Sequence, residues 1–265
     1  MPVPSRRTRP RDVLGEELLK AAGTPEELRG PAPESGGSAI AVVADVHGET
    51  AALAAVVEEA RAEGIERWRC LGDSVEWLLP RDPQRRGDPD ALRWALDHAE
   101  IVLAGNHEAA LMADPHGRQR LAAEPDGQAL LARLTNRPAH QSVDVGGTSV
   151  ELVHGSPADP VWGVIEIKAD VEEAFRRSRA RIILCGHTHV PLIARCDASG
   201  VRLEAHAEMV ALDLADTRWL LNPGSVGRAP SGLAHWGVLH LDTDGQPVLF
   251  QWRRTRWAGT ERLFR

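Results

Sequence analysis

Five short apolar runs in this chain each end in side chains able to ligate a hard or borderline metal ion. Ile40–Ala44 is followed by Asp45-Val46-His47, Arg67–Leu71 by Gly72-Asp73, and Ile101–Ala104 by Gly105-Asn106-His107-Glu108. Thr148–Val153 is followed by His154-Gly155-Ser156-Pro157, and Ile182–Cys185 by Gly186-His187-Thr188-His189. A donor set mixing imidazole, carboxylate and amide suits Mn, Fe, Zn or Ni better than an all-oxygen calcium site. Open α/β sheets place their ligands at the carboxyl ends of strands, and glycine beside such groups lets the backbone turn sharply and a substrate come close. Singly, each piece has a plainer reading: Asp-x-His and Gly-Asp are turn sequences, and Asn caps helices. Five such pieces in order, all at strand ends, make coincidence a poor account.

The array resembles the motifs of the calcineurin-like metallophosphoesterase superfamily: D-x-H, G-D, G-N-H-[DE], H and G-H-x-H. All are intact here and span about residues 38–241. His154-Gly155-Ser156-Pro157 and Asn222-Pro223-Gly224-Ser225-Val226-Gly227 are similar to its small bacterial and archaeal phosphodiesterase branch. The resemblance implies an α/β fold, a four-layer αββα sandwich of two mixed β-sheets flanked by helices. It implies two divalent ions, manganese first, with iron, zinc or nickel as alternatives. Asp45, His47 and His189 would bind the first ion, Asp73 would bridge, and Asn106, His154 and His187 would complete the second. The implied reaction is hydrolysis of phosphodiesters or phosphomonoesters by in-line attack of a metal-bridging hydroxide. By the same resemblance His107 protonates the leaving alkoxide, and Asn106 and His107 contact the substrate. A positioned imidazole acid typically contributes 10²–10⁴-fold.

The departures narrow the substrate. Protein serine/threonine phosphatases and dinucleoside polyphosphate hydrolases continue G-D-x-V-D-R-G, with the arginine gripping phosphate. Here the chain reads Gly72-Asp73-Ser74-Val75-Glu76-Trp77-Leu78, so that arginine is absent and both classes are disfavoured. Glu76 takes the place of the aspartate that orients the histidine acid in the protein phosphatases, and on that resemblance would orient His107; its plainer reading is a solvated loop carboxylate. Arg228, after the Asn-Pro-Gly-Ser-Val-Gly turn, is a substitute phosphate contact on one reading and a solvated arginine on the other. Trp77 and Trp162 follow ligand loops, where stacking on a base competes with ordinary packing. Cys70 and Cys185 sit inside apolar runs and read as small core residues. His98, His116, His140, His206, His235 and His240 lie outside the motifs and receive no role.

The elements that must position these residues follow from patterning. Residues 1–37 read as a partly flexible N-terminal extension with a short helix over Asp12–Ala22 and a Pro/Gly linker before Ser38. From there strands and helices alternate: a strand at Ile40–Ala44, a helix over Glu49–Glu63, a strand at Arg67–Leu71, a helix over Asp90–Ala99 and a strand at Ile101–Ala104. Helix broken near Pro115 and Pro125 follows. The second half is β-rich: a hairpin around Gly146-Gly147, a helix at Asp170–Arg179, a strand at Ile182–Cys185, then pairs at Val190–Cys196 with Val201–Ala207 and at Trp236–Leu241 with Pro247–Trp252. One layered domain with mixed sheets is expected over residues 38–252, followed by a basic tail over 253–265.

Composition excludes several classes. The 265 residues are 43% hydrophobic, ample for a packed core. Without the four arginines and one aspartate of residues 1–12 and the five arginines and one glutamate of 253–265, 22 basic and 36 acidic residues remain, net −14. A body that acidic is a poor partner for nucleic acid, and this argues against a nuclease. Neither lysine, Lys20 or Lys168, lies in a phosphate-binding G-x-x-x-x-G-K-[ST] loop. No apolar run approaches the about 20 residues a membrane helix needs, and Met1–Arg7 lacks the apolar stretch of a secretory signal. Three cysteines without C-x-x-C spacing suit a reducing cytoplasm. The reading is a cytoplasmic metallophosphoesterase acting on a small phosphoester. Its rivals are a non-catalytic metal-binding interaction scaffold of the same fold and a protein phosphatase or dinucleoside polyphosphate hydrolase.

Overall fold

The computed structural model describes residues 38–78, 87–205 and 207–258. The expected helix at Asp12–Ala22, the linker before Ser38 and His206 lie outside them. Strand β1 (Ala39–Val43) shows why the first apolar run is continuous rather than alternating. Ala41 and Val43 pack beneath helices, while Ile40 and Val42 face the second sheet. A strand covered on both faces needs apolar side chains on both.

Two mixed six-stranded sheets stack face to face, with helices on both outer faces. The first has β1 and β2 (Arg67–Cys70) paired in parallel, and β3 (Ile101–Val102) parallel beside β2. On the other side of β1 lie β11 (Ala234–Leu241), β12 (Pro247–Thr255) and β9 (Met209–Ala211), all antiparallel. Helices α1 (Thr50–Ala62), α2 (Asp90–His98), α3 (Asn106–Ala113), α4 (Pro115–Ala122) and α5 (Gly127–Thr135) cover its outer face through residues such as Val56, Leu92, Leu111, Leu121 and Leu130.

The second sheet runs β4 (His140–Val145), β5 (Thr148–Val153), β6 (Ile182–Leu184), β10 (Arg218–Asn222), β7 (Leu192–Asp197) and β8 (Gly200–Leu203). Strands β5, β6 and β10 are parallel. Helix α6 (Lys168–Arg177) packs Val171, Ala174 and Phe175 on its outer face. The inter-sheet core includes Leu71, Val150, Leu152, Ile182, Trp219 and Phe250. Gly237 on β11 is required there, because a Cβ would lie 2.2 Å from the Phe250 ring.

The structure departs from the sequence pattern in several places, one being β8, which ends at Leu203 where the pattern predicts a strand to Ala207. Strand β10, central to the second sheet, was absent from the pattern because it is short, opens on Arg218 and abuts Pro223. Its arginine is half-buried and reaches across to α6, donating to Phe175 O, Ser178 O and Ala180 O at 3.0, 2.8 and 2.9 Å. Those carbonyls lie at and just beyond the helix C-terminus, where a cation is favoured. Strand β9 has only three residues, too few to show a period. Strand β3 ends at Val102, two residues before the apolar run does. Finally, β12 continues past residue 252 to Thr255. Arg253, counted with the basic tail, pairs with Glu59 and Glu63 of the first helical layer, and Thr255 Oγ1 donates to Glu59 (2.6 Å).

Candidate metal centre and active site

Strands β1, β2 and β3 of one sheet and β5 and β6 of the other end at the same edge of the sandwich. The loops that follow them are stitched together by backbone. Asp45 N–H donates to Gly72 O (3.0 Å), His47 N–H to Asp73 O (2.8 Å) and Gly48 N–H to Ser74 O (2.8 Å). Gly186 N–H donates to His154 O (2.9 Å), and His187 N–H reaches the Asp45 carboxylate (3.1 Å). The latter contact crosses from one sheet to the other.

Three groups of side chains converge, each with its ligand atoms within 4.8 Å of one another: Asp45, His47 and His189; Asp73, His154 and His187; and His47, Asp73 and His107. Asn106 joins the second group, its Oδ1 lying 3.0 Å from His154 Nε2. All seven side chains expected as ligands are thus brought together, with His107, Glu76 and Arg228 beside them. Backbone strain concentrates at the same place. The non-glycine residues with positive φ among the described residues are Asp45 (55°), His47 (52°), Asp73 (54°), His187 (69°) and His189 (65°). Left-handed backbone is uncommon for residues with a side chain, though Asp and His tolerate it better than most. Strain of this kind persists where surrounding structure enforces it.

The donor chemistry fits divalent ions. His154 Nδ1 donates to Leu71 O (2.9 Å), which leaves Nε2 without a proton. That bare nitrogen faces Asn106 Oδ1 at 3.0 Å and Asp73 Oδ2 at 3.5 Å, so acceptors converge with no hydrogen between them. In the first group His47 Nε2 and His189 Nε2 face each other at 3.0 Å, and His189 Nε2 is 3.6 Å from Asp45 Oδ1. Electrostatics agree. Burial pushes Asp73 up to about 6, and burial with the Asp73 charge raises Asp45 well above the carboxylate range. Burial also lowers His154 and His189 to about 4, the latter aided by Arg228, so both imidazoles are neutral. Carboxylates that repel each other beside neutral imidazoles are the environment a cation relieves.

His107 is held from two sides. Its Nδ1 lies 3.0 Å from Glu76 Oε1 and 3.1 Å from the Trp77 amide, the partners of its two tautomers. Burial pulls its pKa down, but the Glu76 hydrogen bond and the Asp73 and Glu76 charges outweigh this and raise it. Burial of Glu76 acts upward, yet its bonds to His107 and His47 hold it well below the usual carboxylate range.

Glu108, the last residue of Gly-Asn-His-Glu, received no role from the sequence. Fully buried, it accepts from Gly105 N–H (2.8 Å), Asp73 N–H (2.8 Å) and Val75 N–H (3.0 Å). It ties the start of α3 to the Asp73 loop; an acid three residues into a helix was the available signal. Gly105 is required beside it, because a Cβ would lie 2.2 Å from Asp73 Oδ1. Trp77 is buried in the core beneath the helices, whereas Trp162 is exposed. Cys70 and Cys185 are buried free thiols.

The model of the calcineurin-like phosphoesterase superfamily domain matches residues 39–245. The chain belongs to that superfamily. An uncharacterized protein of Methanocaldococcus jannaschii is 26% identical over 210 residues, covering 74% of this chain and 79% of that protein. The crystal structure of a metallophosphoesterase from Sphaerobacter thermophilus is 24% identical with a TM-score of 0.64, over 84% of this chain and 90% of that one. A hypothetical protein of Pyrococcus horikoshii OT3 is 19% identical with a TM-score of 0.55, over 86% and 92%. These two structures share the fold of this calcineurin-like phosphoesterase.

Proposed function

We propose that this protein is a dinuclear-metal phosphoesterase hydrolysing phosphodiesters or phosphomonoesters by direct attack of water. The observation that carries the reading is the convergence of seven donor side chains, five of them on left-handed backbone, at one edge of the sandwich. Asp45, His47 and His189 would hold one ion, Asn106, His154 and His187 the other, with Asp73 between them. Manganese is the first candidate, then iron, zinc or nickel. Such a pair polarises phosphoryl oxygens and lowers the pKa of bound water towards neutrality.

The chain's own residues supply the rest. Asn106 and His107, adjacent at the start of α3, face the centre and contact the phosphoryl group. Protonated on both nitrogens, as the Glu76 and Asp73 carboxylates favour, His107 directs Nδ1–H at Glu76 and offers its Nε2–H proton to the departing alkoxide. That proton matters most for esters whose alcohols are poor leaving groups. Arg228 places a guanidinium on this wall, where it adds positive charge for an anionic substrate. No helix of the described residues is long and apolar enough to cross a membrane, and we read the protein as cytoplasmic.

Protein stripped of metal and reloaded with manganese is expected to cleave bis-p-nitrophenyl phosphate. Uptake of two manganese ions without cleavage would leave the interaction scaffold as the better description. A screen of cyclic nucleotides, dinucleotides, phospholipid diesters and phosphomonoesters then identifies the substrate.

A further inference from the structure

The Asn222–Gly227 turn, which the proposed chemistry leaves without a task, is laced to both halves of the first ligand group. Asn222 Nδ2 donates to Gly186 O (2.8 Å) and Thr188 Oγ1 (3.2 Å), fixing the loop that carries His187 and His189. Ser225 Oγ donates to Asp45 O (2.8 Å), and the Val226 and Gly227 amides donate to Ala44 O and Asp45 O (3.0 and 3.1 Å). A Cβ on Gly227 would lie 1.9 Å from Val46 O, so the two backbones touch. The turn ends at Arg228, whose N–H donates to Ser225 Oγ (2.7 Å) and whose Nη2 lies against Glu76 Oε2.

Glu76 is spread across two imidazoles. Its Oε2 is 3.2 Å from His47 Nδ1 and its Oε1 is 3.0 Å from His107 Nδ1; the two rings meet edge-on with centroids 4.5 Å apart. A carboxylate beside Nδ1 favours a proton there, on His107 in competition with the Trp77 amide that donates to the same nitrogen (3.1 Å). For His47 the free nitrogen, Nε2, faces His189 Nε2 at 3.0 Å.

We infer that Arg228 is a positioning residue: delivered by the Asn222–Gly227 turn, it holds Glu76 so that one carboxylate orients both His47 and His107. The inference rests on the phosphoesterase reading and gives Arg228 a task other than gripping phosphate. A guanidinium is suited to it, because its planar fork fixes a carboxylate's orientation as well as its charge. Without it the carboxylate loses one of the contacts that orient it, and its hold on the two imidazoles loosens.

The test compares wild type with Arg228→Ala, Glu76→Gln and the double variant by titration with Mn²⁺ alone, and by ¹⁵N NMR of the imidazoles in metal-free protein. Each single variant is expected to weaken Mn²⁺ binding about tenfold, as loss of a group that orients a metal ligand does, and the double variant no further. His47 and His107 lose their Nδ1–H tautomer, and kcat on alkyl esters falls with KM little changed. Wild-type Mn²⁺ affinity and tautomers in Arg228→Ala, with a raised KM, would make Arg228 a phosphate contact and overturn the inference. Additive losses in the double variant would overturn it too. Should Arg228→Ala not fold, Arg228→Met, which keeps the stem, carries the same comparison. Wild type that binds no Mn²⁺ and cleaves nothing removes the phosphoesterase reading itself; normal wild type with an indifferent Arg228 variant removes only this inference.

Discussion

Two atoms of Asp73 reach in different directions, and that geometry underlies the first prediction. Oδ1 accepts from His107 N–H (2.9 Å), while Oδ2 lies 3.8 Å from His47 Nε2 and 3.5 Å from His154 Nε2. One carboxylate therefore stands between the two groups of donors. Asp73→Asn is nearly isosteric but removes the charge and one acceptor. It is expected to abolish turnover and weaken both metal sites together, read by metal content after dialysis; loss confined to one site would deny the bridging role. For His107, whose Nδ1 lies against Glu76 and Trp77 although its ring meets His47 edge-on, the expectation differs. His107→Ala should retain both metals and lose about 10²–10⁴-fold on alkyl esters. On nitrophenyl esters, whose leaving group needs no proton, the loss should be much smaller. Equal losses on the two ester types would remove His107 as the acid.

At the scale of elements, strands set where the chemistry stands and the loops set its precision. Strand ends were legible because buried parallel strands read as apolar runs, and the motif residues follow those runs directly. The hairpin at Gly146-Gly147 and the helices broken near Pro115 and Pro125 were legible for local reasons of turn and helix chemistry. Strand β10 was not. Its stability comes from pairing with β6 and β7 and from burial of Trp219, Leu220 and Leu221, contacts made with residues distant in sequence. Arg218 likewise belongs to the end of a helix 40 to 43 residues upstream, a partnership no window of sequence shows. In the site, the candidate ligands were legible by order and type. The Arg228–Glu76–His47 connection was not, since it depends on a turn from one sheet reaching a loop from the other. Loop precision makes a prediction of its own. In Gly105→Ala the added methyl enters the space of Asp73 Oδ1. Overpacking of this sort typically costs about 1–3 kcal/mol, and here it displaces the carboxylate between the two groups. The variant should melt at lower temperature and lose most of its metal. A variant with wild-type metal content would mean that the α3 start yields easily and that its closeness to Asp73 is incidental.

For the whole molecule, the sandwich brings buried acids and imidazoles to one edge without neutralising them, so metal binding and protonation compete. Truncation is a useful control: β1 begins at Ala39 and the family match at residue 39, so deletion of residues 1–37 should leave activity unchanged, and a dead or insoluble truncation would assign that segment to the fold. The competition itself sets the pH dependence. His154 and His189 titrate at about 4 in the metal-free protein, so above pH 5 they already present bare nitrogens. Asp73 differs: burial raises it to about 6, so below that pH it holds a proton that an incoming cation must displace. Asp45, raised by burial and by Asp73, adds to the same requirement. Because the metal-free state binds the proton and the metal-bound state does not, affinity must rise with pH. One proton displaced corresponds to about tenfold per pH unit below the pKa, and the dependence levels off above it. Mn²⁺ titrations at pH 5, 6, 7 and 8 are therefore expected to show affinity climbing about fivefold or more from 5 to 6 and rising further at 7, with the Asp73 share of the proton release lost above that pH. An affinity that stays flat between pH 5 and 7 would contradict the raised carboxylates that burial produces at this site.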